Sequence, residues 1–177
     1  MKKNMNFLNL VESFQKAVNQ HHVDKVMTMF TEDAEFEIVG LSKFSGKKQV
    51  KNIFEYDVGV NTQLQFINCK SEGNIVRCQI LERNDRLDAI GISELKYSSC
   101  TFVFKDRLIQ SITAEIPPES VRYNSEVWQK FLPWLSENYP DKYSTMFTSE
   151  GRFIYNRENG AHIVPMLRKW REEQEIK

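Results

Sequence analysis

Cysteine, proline and glycine are all scarce in this chain, at 3, 5 and 7 of 177 residues. Three cysteines, Cys69, Cys78 and Cys100, are too few for a disulfide-stapled miniature domain. With no C-x-x-C pair and no histidine at metal spacing, they also exclude a structural zinc site. Scarce proline and glycine exclude a low-complexity linker or fibre. Long hydrophobic runs are missing too. The strongest, Leu132 to Leu135 and Ile163 to Leu167, fall far short of the ~20 residues that span a bilayer, so no membrane partner is expected. No sign of charge dominates. Lys plus Arg and Asp plus Glu both number 24, with 15 of each before Pro117 and 9 of each after it, so the basic excess of a nucleic-acid binder is absent. Met1-Lys2-Lys3-Asn4 carries two lysines, but Asn9, Glu12, Gln15 and Lys16 interrupt the residues after it. No secretory apolar region is read there, and the expected location is the cytoplasm.

Apolar and aromatic residues, by contrast, make up 41% and 12% of the chain, enough for a folded domain with a sizeable core. Phe7, Leu10, Val11, Phe14, Ala17 and Val18 recur at i, i+3, i+4, i+7 and predict an amphipathic helix ending near Asn19. Val23, Val26, Met27 and Phe30 predict a second, short one. Ala34, Phe36 and Ile38 alternate with Glu35 and Glu37 as a half-buried strand ending at Gly40. Lys47 to Tyr56 gives a third helix with Val50, Ile53 and Phe54 on its inner stripe. From Thr62 the pattern is antiparallel sheet. Gln63 to Ser71 and Ile75 to Glu82 form a hairpin about Gly73-Asn74, which places Cys69 opposite Cys78. Such a cross-strand pair could oxidise, but cytosolic redox poise opposes it, and the two are read as buried thiols behaving as small hydrophobes. An irregular stretch, Arg83 to Ser93, comes next, and then a second hairpin, Glu94 to Lys105 with Leu108 to Ile116, turning at Asp106-Arg107. Pro117-Pro118 ends that sheet.

The last 60 residues hold all three tryptophans and four of the six tyrosines. Such residues need somewhere to pack. A helix is expected from Asn124-Ser125-Glu126, with a kink or restart at Pro133. Another should start within a turn of Pro165, with Ile163, Leu167 and Trp170 inward. The organisation expected is therefore residues 1–118 as one unit, with residues 119–177 as a helical extension packed on the same domain.

The element order, with Val11-x-x-Phe14, Phe30-Thr31-Glu32-Asp33-Ala34-Glu35-Phe36, Gly40, Ser45-Gly46-Lys47 and Phe102-Val103-Phe104-Lys105-Asp106-Arg107-Leu108-Ile109, resembles the nuclear transport factor two-like superfamily, especially its SnoaL-like members. The resemblance covers roughly residues 5 to 116. It implies an α+β fold, a curved and mostly antiparallel sheet forming a cone around N-terminal helices, with a cavity between sheet and first helix. Superfamily members include isomerases, epoxide hydrolases, cyclases and proteins without chemistry, so the resemblance fixes no activity. Matching to the ketosteroid isomerases puts their tyrosine, oxyanion-binding aspartate and basic aspartate at Phe14, Cys100 and Ile38 here. None of these can do that work, and steroid isomerase chemistry is rejected. The two aspartates and arginine of the epoxide hydrolases find a local analogue only in Arg83, Asp85, Arg86 and Asp88, read as a solvated rim.

The same matching turns Cys100 toward the cavity. Period two adds Ser98 and Phe102, and pairing Phe104 with Ile109 across the turn adds Ser111, Thr113 and Glu115. With Phe14, Val18, Ile38 and Phe54 opposite, this lining suits a small apolar molecule bearing a few polar groups. The leading expectation is a small-molecule binding protein with no cofactor and no metal. A hydrolase or isomerase using Glu115 or the Arg83 to Asp88 cluster is the second, and a dimeric interaction scaffold the third. The same facing leaves Val103, Ile112 and Ala114 outside as an apolar patch, the motive for a homodimer. His21, His22, His162 and Cys100 have no sequence neighbour that makes them bases or nucleophiles.

Overall fold

Amphipathic periodicity and hairpin turns organise the chain in the computed structural model, which describes residues 6–175. The Met1 to Asn4 run lies outside them. In order, the elements are α1 (Phe7–Asn19), α2 (Val23–Met27), β1 (Phe30–Ile38), β2 (Ser42–Ser45), α3 (Lys47–Gly59), β3 (Gln63–Glu72), β4 (Ile75–Arg83), α4 (Asp85–Ala89), β5 (Leu95–Lys96), β6 (Ser99–Lys105), β7 (Leu108–Glu115), α5 (Pro118–Asn138), α6 (Pro140–Met146) and α7 (Arg157–Glu175). Among the described residues, no helix is long and apolar enough to cross a membrane.

The chain divides into two compact units. The first runs through Lys51 and resumes over Gln63–Glu82 and Lys96–Pro117. It contains most of a seven-stranded, curved and unclosed sheet in the order β2-β1-β7-β6-β4-β3, with β5 paired to β4. Strands β1 and β7 run parallel, whereas β1 with β2, β4 with β6 and β6 with β7 are antiparallel. The β6–β7 turn is made by Asp106 and Arg107 at φ 50° and 68°, the left-handed pair a two-residue hairpin turn needs, here without a glycine. Asn6 caps α1 through its side chain, and Phe7, Val11, Phe14, Ala17 and Val18 form its buried stripe, as the periodicity predicts.

Edge strand β3 is held by α1 through side chains that imitate a neighbouring strand. Asn19 donates from Nδ2 to the Leu64 carbonyl and accepts from the Leu64 N–H, both at 2.8 Å, and Gln15 accepts from Phe66 N–H at 2.7 Å. These satisfy an edge that would otherwise be left open.

The second unit comprises Asn52–Thr62, Arg83–Leu95 and the chain from Pro118 onward. Its core joins Phe131, Leu135, Met146, Ile163, Leu167 and Trp170 of the tail to Tyr56, Val60, Ala89 and Ile90, so the tail's aromatic residues are completed by earlier chain. A division at residue 118 and the division between these cores therefore fall at different places. The stretch Arg83 to Ser93, expected to be irregular, contains α4, capped by Asn84 accepting from Leu87 N–H at 2.7 Å. α5 starts at Pro118 instead of Asn124, and α7 at Arg157 instead of near Pro165. Pro118 occupies a first-turn position, where a missing N–H costs nothing. Pro133 and Pro165 sit inside their helices. Both are exposed, as are Gln129 and Ala161 four residues earlier, so water can take the hydrogen bonds those carbonyls lose. β2 and α6 were not signalled, being four and seven residues long.

α3 and α7 cross at two glycines. A Cβ on Gly59 would strike the Arg157 carbonyl oxygen, and one on Gly160 would lie 2.8 Å from that of Tyr56. Gly160→Ala is expected to lower stability by ~1–3 kcal/mol through backbone overpacking. Asn19→Ala should cost a similar ~1–3 kcal/mol by leaving the Leu64 amide unpaired. Urea unfolding midpoints at constant m-value check both.

Candidate functional site

The inner face of the sheet follows from register. On β6, Cys100 and Phe102 point inward and are 0% exposed. Phe104 does pair with Ile109, as expected, but the register then slips: Val103 pairs with Ser111, Phe102 with Ile112 and Cys100 with Ala114. Gln110 is the extra residue of a β-bulge, and one extra residue reverses the facing of everything beyond it. Ile112 and Ala114 are therefore the inward residues, at 2% and 1% exposure. Ser111, Thr113 and Glu115 stand on the opposite face beside Val103, Thr101 and Ser99, with Glu115 exposed. This corrects the expected lining at all three positions. It also takes Ile112 and Ala114 out of the expected outer apolar strip and leaves Val103 there, paired with Ser111, on a face that is polar toward β1: Glu35 and Glu37 of β1 pair in register with Ser111 and Thr113, and Glu35 forms an ion pair with Lys43 at 3.2 Å.

Of the other expected lining residues, Phe14 and Val18 are buried on α1, and Ile38 is half-buried in register with Ala114. Ser98 is exposed and lies just before β6, with its N–H donated to the Glu115 carbonyl at 2.8 Å. Phe54 is buried but belongs to the second unit. Phe14 and Phe102 meet directly, ring centroids 5.6 Å apart and edge to face. Phe14 also packs on Phe30 at 5.9 Å and Phe66 at 6.0 Å, and Phe66 on Phe102 at 5.2 Å. Phe30 and Phe66 were not expected here. Ile109 and Ile112, three apart where period two allows two or four, were the sequence signal for the bulge.

No acid or base reaches this interior from the residues singled out. Arg83 binds Glu94 at 2.7 Å, Arg86 donates to Asn124 at 2.9 Å, and Asp88 lies 3.7 Å from Arg168, so the cluster is a set of local tethers. Glu82 accepts from the Tyr97 hydroxyl at 2.5 Å. His162 lies 3.8 Å from Glu158 and 3.4 Å from Lys142 Nζ. Cys100 is a free thiol whose pKa burial pushes up to about 12. A thiol so placed is no nucleophile near neutral pH. Among the described residues, no group of three His, Cys, Asp or Glu side chains is arranged to hold a metal ion. Cys69 and Cys78, expected to be thiols, face one another as predicted but are joined in a disulfide, Cα atoms 4.2 Å apart.

No protein-family model and no curated protein matches the chain. Solved structures do. An NTF2-like protein of unknown function from Cytophaga hutchinsonii aligns with 69% of this chain and 99% of its own, at TM-score 0.55 and 16% identity. The epoxide hydrolase/cyclase-like enzyme SalBIII, of pyran ring formation in the polyether salinomycin, aligns with 67% and 96%, at TM-score 0.59 and 18% identity. An LEH-like epoxide hydrolase of M. tuberculosis aligns with 60% and 79%, at TM-score 0.52 and 18% identity. Identities this low show the fold alone: the chain has the α+β cone of NTF2-like proteins, as the sequence resemblance implied. Proteins of this fold include hydrolases and cyclases, so it accommodates ligand binding and catalysis.

The environment of Cys100 makes a pH prediction. Its folded value lies above the ordinary 9.0, so the neutral thiol's contribution to stability is complete below pH 9 and is lost as pH rises through about 12. The difference in unfolding free energy between wild type and Cys100→Ala should therefore shift against wild type over that window, and stay constant from pH 6 to 8. Paired denaturation curves across pH measure it.

Proposed function

We propose that this chain is a non-catalytic cone-fold protein that acts through its surface, its cone interior serving as hydrophobic core. The observation that carries this reading is the ring contact between Phe14 and Phe102, reinforced by Phe30 and Phe66. Where members of the resembling families carry polar groups, Phe14, Ile38 and Cys100 offer none that can exchange a proton at neutral pH. The bulge carries Ser111, Thr113 and Glu115 to the outer face, which removes the polar anchors a ligand headgroup would use. That face, with Glu35, Glu37, Lys43, Arg77 and Thr101 along it, has the mixed polarity of a reversible protein contact. A second copy of the chain is one such partner.

A small apolar ligand is the second reading, favoured by one feature. Cys78, Cys100 and Ala114 follow one another across β4, β6 and β7, a row of small side chains on the inner face that ends at half-buried Ile38 on β1.

An apolar fluorescent probe separates the two. Wild type should show no saturable binding, whereas Phe102→Ala should lose ~3–5 kcal/mol of stability and gain a binding site in the void. Saturable binding by wild type, abolished by Ala114→Leu, would instead establish the ligand reading. Glu115→Gln should leave stability within ~0.5 kcal/mol and change neither result.

A further inference from the structure

We propose that the Cys69–Cys78 bridge is a reversible redox staple: a soluble dithiol opens it, a small-molecule disulfide closes it, and it governs the β3 arm of the β3–β4 hairpin. The inference does not depend on the reading of the cone interior.

The placement of the bridge motivates it. β3 is an edge strand with two differently held parts. Leu64 and Phe66 are fastened to α1 by Asn19 and Gln15. Beyond them lies Asn68 at φ 54°, a left-handed residue that absorbs the odd spacing between Phe66 and Cys69, which both point inward. Past the bridge, Lys70 to Asn74 are all exposed. The β4 arm is secured separately. Ile75, Val76, Arg77 and Cys78 pair with β6, and Asn74 exchanges hydrogen bonds with Phe104 at 2.8 and 2.9 Å. The disulfide therefore joins a well-anchored strand to the one stretch of β3 that α1 does not hold, where opening costs least.

The chemistry suits reversal. Cys69 is half-buried whereas Cys78 is buried, so attack falls on the Cys69 sulfur. A thiolate of the reductant forms a mixed disulfide there, the S–S bond breaks, and Cys78 leaves as a thiolate that takes up a proton. The reductant's second thiol then displaces Cys69 and departs as its own disulfide, so two electrons and two protons end on the cysteine pair. Cys100 stands directly opposite Cys78 on the next strand, but its thiol, with a pKa pushed up to about 12, supplies no thiolate to divert the exchange. Reduction leaves residues 68–72 tied by ladder hydrogen bonds, the exposed Asn68 Nδ2 to Gln79 Oε1 hydrogen bond at 2.9 Å and the exposed Glu72–Arg77 ion pair at 3.5 Å, none of them covalent, and a loosened edge strand is a surface that another strand can pair with.

Thiol counting and hydrogen exchange test this on the full chain. After exposure to oxidised glutathione, alkylation in denaturant should label one cysteine, Cys100. After native reduction with dithiothreitol it should label all three, with Cys69 labelled first when the alkylating agent is added to folded protein. Reduction should speed exchange of amides 68–72 by at least about tenfold while leaving 99–105 and 108–115 within about twofold, and renewed glutathione treatment should restore the slow rates. Cys69→Ser should show the fast pattern under both conditions, and Cys100→Ala should switch like wild type. If Cys69→Ser does not fold, native reduction of wild type carries the test. Three labelled cysteines after glutathione treatment, unchanged exchange on reduction, or reduction that unfolds the whole chain would each overturn the proposal.

Discussion

Gln110, the one surplus residue in β7, decides which side chains the second half of that strand presents to each face of the sheet. Side chains on a strand alternate, so a bulge leaves the strand in place but exchanges what it presents. Here the exchange puts Ile112 and Ala114 inside and Ser111, Thr113 and Glu115 outside. The aromatic cluster of Phe14, Phe30, Phe66 and Phe102 closes over a wall free of carboxylates and hydroxyls at those positions. A hydroxyl or carboxylate there would need a buried partner or would cost stability. An interior of this composition favours packing over proton transfer, and the polar groups are gathered on the outer face.

The open edge of the sheet is managed by unlike devices placed in series along β3. Near its start, the amides of Asn19 and Gln15 stand in for a missing strand, because a primary amide carries the same donor and acceptor as a peptide group. Further along, a covalent bond to Cys78 replaces them. Hydrogen bonds from a packed helix persist as long as the helix does, whereas a disulfide answers to the redox surroundings. Stability and responsiveness are thus separated by a few residues of one strand.

The second unit rests on a different constraint, the closeness of two helices. Gly59 and Gly160 let α3 and α7 approach until backbone nearly touches backbone, and Tyr56, one turn before Gly59, then packs edge to face with Phe153 and Tyr155 at 5.6 and 5.2 Å. Prolines 133 and 165 are tolerated because they lie on the exposed side of their helices, away from that core.

Period, composition and turn chemistry act over a few residues, and the features that depend on them are written in the chain. α1 through Asn19, the Gly73-Asn74 and Asp106-Arg107 hairpins, the facing of Cys69 and Cys78, and the inward stripe of Ile163, Leu167 and Trp170 come from local spacing alone. The resemblance carried by Phe30 to Phe36 and Phe102 to Ile109 likewise pointed to the cone. The lining of the interior is less legible: Phe14, Val18, Cys100 and Phe102, expected on a cavity wall, are buried side chains, and Ser111, Thr113 and Glu115 face outward because the alternation breaks at Gln110. Only the broken spacing of Ile109 and Ile112 hinted otherwise. β2 has too few residues to show a period and exists because β1 pairs with it. The tail's core lay beyond any local pattern, since its completion by Tyr56, Val60, Ala89 and Ile90 joins residues some seventy or more positions apart along the chain from Ile163 and Leu167. Spacing along a strand or helix can be read from neighbours in sequence, but register between strands and partnership between distant helices are settled by which surfaces bury most together when the whole chain closes up.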